Sequence, residues 1–223
     1  MKGTRMFASR SVSSGSLDVY DTYMKHHPMP VLEGEVKELY EFAYGTETYH
    51  RYCDTPKTIH GAIPPTKKQL ETLDAMILKT NPPCVHKPHH DVESLFWVLL
   101  YVLIHAQPLE RSPGVDLEPF WDVRTWFHRH EMGSKNPDCR SPFFRFGVPR
   151  FIRSFLDPKL APLAGLISKL LAHIYPNYDL FETPPPPEHL HEVMRRLLLK
   201  QIHLMKDPIA LDPKASRPVK HDV

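Results

Sequence analysis

Glycine is scarce: nine occur in 223 residues, and the two nearest each other, Gly34 and Gly45, stand eleven positions apart. They cannot supply a G-x-G-x-x-G loop or a G-x-x-x-x-G-K-[ST] phosphate cradle, and the sequence holds no G-x-S-x-G nucleophile elbow. Cysteine is nearly absent too. Cys53, Cys84 and Cys139 are odd in number and form no C-x-x-C pair, which argues against a disulfide framework or a structural zinc site. Charge of one sign is lacking, since 28 Lys and Arg against 26 Asp and Glu leave +2. A dedicated nucleic-acid binder would carry a basic face, so no nucleic-acid partner is expected. The most apolar run, 95–104, falls far short of the roughly 20 residues that cross a membrane. Residues 1–16 are polar and hydroxyl-rich, without the apolar block of a secretory leader. An intracellular protein with no membrane partner is therefore expected.

Against these shortages stand 24 prolines and a hydrophobic content of 41%, enough for a globular core with stiff connections. The apolar spacing is helical nearly throughout, and no segment alternates as a strand would. Val36, Leu39, Tyr40 and Ala43 share a face of a short helix. A Pro- and Thr-rich loop follows through residues 56–65, and Thr66 with Gln69 forms a capping-box pattern before Leu70, Leu73, Met76 and Ile77. Asp91 reads as an N-cap, its carboxylate accepting from the free N–H groups of the next turn. The helix it opens, to about residue 106, is apolar round nearly its whole circumference, which predicts a central helix buried on all sides. Leu117, Phe120, Trp121 and Phe127 mark another helix, as do Leu160, Leu163, Ile167, Leu170, Leu171 and Ile174. The last runs from about 188 to 205, after prolines 184–187, and is faced by Leu190, Val193, Met194 and Leu197. The fold class expected is mainly α, with one domain over 1–205 and a polar, disordered tail over 206–223.

Two segments carry a resemblance. Gly3-Thr4-Arg5-Met6-Phe7-Ala8-Ser9 resembles the G-T-x-x-[FY]-M-A segment that closes the activation loop of protein kinases. His89-His90-Asp91-Val92-Glu93-Ser94-Leu95-Phe96-Trp97-Val98-Leu99-Leu100 resembles the central helix of the kinase C-terminal lobe, in the wording of the fungal-type protein kinase family. The resemblance covers roughly residues 3–205 and only the later half of a kinase domain. It implies Ser/Thr-directed phosphotransfer from ATP for a whole member. It also implies that Gly3 and Thr4 are a remnant of the activation segment, and that Asp91 belongs under the catalytic loop. Ser11 stands where kinases place a Glu that anchors this segment through an Arg of a later helix, so residues 3–16 are expected to be loosely held.

Phosphoryl transfer itself needs a glycine loop, a paired Lys and Glu, H-R-D-x-x-x-x-N and D-F-G. None of these is present. His128-Arg129-His130 resembles H-R-D but has His in place of the carboxylate, and Arg145-Phe146-Gly147 resembles D-F-G with a cation where Mg²⁺ would bind. No catalytic residue, bound cofactor or nucleotide is therefore expected, and ATP with Mg²⁺ enters only if an upstream half exists. Without a catalytic loop, Asp91 keeps the helix-cap role, and Thr4 is a terminal hydroxyl.

Cys84, His86, His89, His90 and Asp91 lie within eight positions and are all metal-ligating types. In a chain with 15 His such a grouping arises by chance, and no metal is expected. Carboxylate pairs such as Glu33 with Glu35, or Glu110 with Asp116, read as solvated turns. Phe120, Trp121, Trp126 and Phe127 lack the basic groove that base stacking would require. Three functions stay open: a non-catalytic kinase-like lobe, a truncated product of an active kinase gene, and a protein-interaction module. The interaction module follows because a helical lobe without its neighbour leaves an apolar face for a protein partner.

Overall fold

The computed structural model describes residues 7–9, 27–53, 85–109, 149–176, 178 and 185–216. Six α-helices lie among them: α1 (Gly34–Tyr44), α2 (Thr46–Cys53), α3 (Pro88–His105), α4 (Pro149–Phe155), α5 (Ala164–Ile174) and α6 (His189–Leu204). A 3₁₀ turn, Ala161–Leu163, leads into α5. The protein is mainly α.

The core is assembled from one face of each long helix. Phe96, Trp97, Leu100 and Ile104 of α3 are fully enclosed. They belong to one apolar cluster with Ile152 and Phe155 of α4, Ile167 and Leu170 of α5, and Val193 and Leu197 of α6. In α5 the residues Ala164, Ile167, Leu170, Leu171 and Ile174 recur every three or four positions, which places them on one side. The same spacing directs Leu190, Val193, Met194 and Leu197 of α6 inward, as the sequence indicates. Leu32, Val36, Tyr40 and Tyr49 form a second, smaller cluster that packs against Leu199 of α6. In α1 the buried positions are Val36 and Tyr40 alone. Leu39 and Ala43 face water, so that expected face is half right. Gly45 adopts φ 88°, a left-handed conformation that suits glycine, and its N–H closes α1 onto the Glu41 carbonyl at 2.8 Å.

Three expectations are corrected here. A short antiparallel ladder exists, β1 (Ala106–Pro108) with β2 (Leu211–Ser216), where Ala106 faces Ser216 and Pro108 faces Leu211 across an irregular register. Neither segment alternates because Pro108 and Pro213 interrupt them and the pairing is short. The described part of the 206–223 tail is therefore structured through residue 216, and Ile209 packs on the main core beyond the expected boundary at 205. Finally, α3 is not enclosed on all sides. Leu95 is 52% exposed, Val98 36% and Val102 48%. Its hydrophobicity conceals this face, because an apolar surface residue and an apolar core residue look alike in sequence.

Of residues 3–16, expected from the resemblance to be a loosely held activation-segment remnant, only 7–9 are described. There Phe7 meets Tyr101 of α3 edge to face at 5.4 Å, and Ser9 is fully buried. At those positions the segment is packed rather than loose. Gly3, Thr4 and Ser11 lie outside the described residues, as do the Thr66/Gln69 box, the 117–127 helix, Cys84 and Cys139, and both short motifs at 128–130 and 145–147.

Candidate functional site

The start of α3 gathers the residues the sequence singles out. Lys87 is extended (φ −130°, ψ 158°), and Pro88 occupies the first helical position, where its missing N–H is no loss. The helix therefore begins three residues before Asp91. The reciprocal half of a capping box is made by an unusual residue: the Lys87 backbone N–H donates to His90 Nδ1 at 3.0 Å. His90 is 2% exposed. Asp91 is not the cap. Its carboxylate points outward, with 60% of the side chain exposed, and lies 3.0 Å from His86 Nε2. In sequence Asp91 looked like a cap because Asp is far commoner in that role than a His accepting from the backbone N–H of Lys87.

Asp91 heads a stripe. Steps of four, three and four residues lead from it to Leu95, Val98 and Val102, which at 100° per residue lie within about 60° of one another. This outer face opposes Leu100, the middle of the buried face. Charge and apolar surface are thus presented together along one side of the helix.

Below the helix start lies a cavity of about 300 Å³, walled by Pro88, His89, Tyr178, Pro186, His189 and Leu190 with Lys87 at one side. Its aromatic rings form a chain. His90 and His89 are 4.2 Å apart, His89 and Tyr178 6.2 Å, and Tyr178 and His189 6.0 Å. Tyr178 donates its phenol O–H to the His173 carbonyl at 2.6 Å, and burial pushes the phenol well above its ordinary value. Among the described residues its walls include no Ser, Thr, Cys or carboxylate side chain, and the prolines, Leu190 and the ring faces suit an apolar group.

A third feature is structural. Arg196, fully buried, donates to Glu192 Oε1 at 2.6 Å, to the Pro30 and Tyr49 carbonyls at 3.1 and 2.9 Å, and to Cys53 Sγ at 3.3 Å. Tyr40 donates to the same Glu192 oxygen at 2.5 Å. Burial, helped by that hydrogen bond to a carboxylate, pushes the Tyr40 phenol up to about 12. The cluster ties α1 and α2 to α6. Sequence reading missed it, since a buried ion pair at i and i+4 on a helix looks like an ordinary surface pair.

Among the described residues no three His, Cys, Asp or Glu side chains converge as metal ligands would. Nor is any described helix long and apolar enough to cross a membrane. Comparison with protein-family models, with curated proteins and with solved structures gives no match to this chain.

Proposed function

We propose that this chain is a helical lobe of the fungal-type protein kinase kind that lacks phosphotransfer machinery and works by docking protein. The occupant of the outer face of α3 is the catalytic half of a kinase-type fold. The observation that carries this reading is the stripe Asp91, Leu95, Val98 and Val102. The resemblance assigns Asp91 to the backbone of a catalytic loop, and Asp91 stands exposed at the head of an apolar face instead of being used up as a cap. Three exposed aliphatic side chains at helical spacing supply the contact area, and the carboxylate supplies an acceptor for loop N–H groups. The packing of Phe7 on Tyr101 lends further support, since it joins the first segment of the resemblance to the helix that contains the second.

The glycine loop, base and metal-binding motifs are lacking in the sequence, so the isolated chain has no means of cradling Mg²⁺-ATP. The test combines two measurements on the full chain. Mg²⁺-ATP alone leaves the melting temperature unchanged, since only a bound ligand stabilises the fold. The separately purified catalytic half of a fungal-type kinase, from its glycine loop through D-F-G, binds in calorimetry, and Val98→Asp weakens that binding at least tenfold. A rise in melting temperature with Mg²⁺-ATP alone overturns the non-catalytic part. Absence of binding, or equal binding by Val98→Asp, overturns the docking part. The truncated-enzyme reading is distinguished by an in-frame D-F-G a short distance upstream in the genomic sequence.

A further inference from the structure

The cap of α3 contains a titratable group in a role that tolerates only one of its charge states. A backbone N–H can only donate, so the 3.0 Å contact from Lys87 requires a lone pair on His90 Nδ1. The ring is therefore neutral. An imidazolium would carry hydrogens on both nitrogens and set N–H against N–H. It would also be a buried cation, 2% exposed, at the positive end of the α3 dipole.

Among the described residues, the charged and titratable groups near the ring are few. On its own segment His86 lies with its ring 5.7 Å away and His89 at 4.2 Å, and Lys87 precedes them. Asp91 is the adjacent opposite charge, but it is mostly exposed and lies against His86. Glu93, one turn on, accepts from the Trp97 indole at 3.2 Å. From the packed elements come Tyr178, against His89, with His189 and His173 beyond it, and His27 lies 5.5 Å from His173. Among the described residues, the groups that these packed elements present are neutral or basic, and the two carboxylates on the segment itself are engaged by His86 and Trp97.

We propose that His90 is a proton-sensitive lock on the first turn of α3: neutral, it caps the helix; protonated, it releases the turn. Pro88 and His89 belong to that turn and wall the cavity, so acid loosens one side of the cavity. The sign follows from proton counting. An unfolded chain takes up a proton at His90 as pH falls through about 6.5. The capped helix does not. Stability is therefore complete above that pH and falls below it, by up to about tenfold in the folding equilibrium per pH unit. This inference does not use the docking reading, and neither test depends on the other.

Gln at this position can accept the same Lys87 N–H without titrating. His90→Gln and the native chain are compared by denaturant unfolding from pH 7.5 to 5.5, with amide exchange at Lys87 followed by NMR. The native chain is expected to lose up to tenfold more of its folding equilibrium per pH unit than His90→Gln, and Lys87 exchange to accelerate with acid only in the native chain. Superimposable pH profiles overturn the proposal. Should His90→Gln not fold, the ring nitrogens of the native chain decide: a bare Nδ1 at pH 7.5 that gains its proton only together with release of the Lys87 amide upholds the lock. A protonated Nδ1 at pH 7.5, or protonation with the amide still protected, overturns it.

Discussion

Arg196 and Glu192 face each other across one turn of α6 at 2.6 Å, with their side chains 0% and 1% exposed. A pair so enclosed has lost its water and depends on its neighbours to replace it. Tyr40, Tyr49, Pro30 and Arg195 do so, the last donating to the second Glu192 oxygen at 2.9 Å. The rings of Tyr40 and Tyr49 also flank the guanidinium, at 5.3 and 4.4 Å.

Breaking this pair from one side is therefore expected to cost much more than removing both charges. Arg196→Met leaves the Glu192 carboxylate buried and is expected to destabilise by about 3–5 kcal/mol. Arg196→Met combined with Glu192→Leu is expected to recover part of that loss, because no uncompensated charge remains. Denaturant unfolding of the single and double variants measures both, and a double variant less stable than the sum of the singles would contradict the account.

The mainly helical class was legible because Ile167, Leu170, Leu171 and Ile174, or Leu190, Val193 and Leu197, declare one buried face by spacing alone. The outward side of α3 was not legible. Leu95, Val98 and Val102 differ in no chemical way from Leu100 and Ile104, and only packing separates them. The helix start was misplaced because Asp is a commoner cap than a His accepting from Lys87. The β1–β2 ladder depends on pairing across about a hundred residues, which local periodicity cannot register.

Opposite faces of α3 should answer oppositely to substitution. Phe96 is fully buried, and Phe96→Ala is expected to cost about 3–5 kcal/mol through the cavity it leaves. Val98→Asp changes a residue that is 36% exposed and is expected to cost much less, about 1 kcal/mol. Thermal melts of the two variants check this. A large loss with Val98→Asp would mean that the stripe is covered in the folded chain, and it would remove the proposed docking face.

Alkali should unfold the protein through its phenols. Tyr178 and Tyr40 are both held above the ordinary tyrosine value, Tyr178 by burial and Tyr40 by burial together with Glu192. The folded state thus keeps protons that the unfolded chain gives up at about pH 10. The sign is fixed: this contribution to stability is complete below pH 10 and is lost as pH rises towards 12 and beyond. Phenolate absorbance followed alongside circular dichroism should show these two tyrosines ionising only as helicity disappears. Tyr178→Phe is expected to weaken this alkaline loss, while costing about 1 kcal/mol near neutrality for the lost hydrogen bond to the His173 carbonyl.

The end of the described chain also has a measurable role. The Leu109 N–H donates to the Ala210 carbonyl at 3.0 Å, and β2 covers the edge of β1 directly after α3. Ending the chain at residue 206 removes that acceptor and the packing of Ile209 on the core. Hydrogen exchange at Leu109 is expected to rise by an order of magnitude or more, since its protection rests on this ladder. The amides of Leu100 and Ile104, inside α3 and facing the core, should change much less. Equal acceleration at all three would mean that residues 207–216 stabilise the whole helical core rather than closing one edge of it, and the short ladder would then be an integral part of the fold.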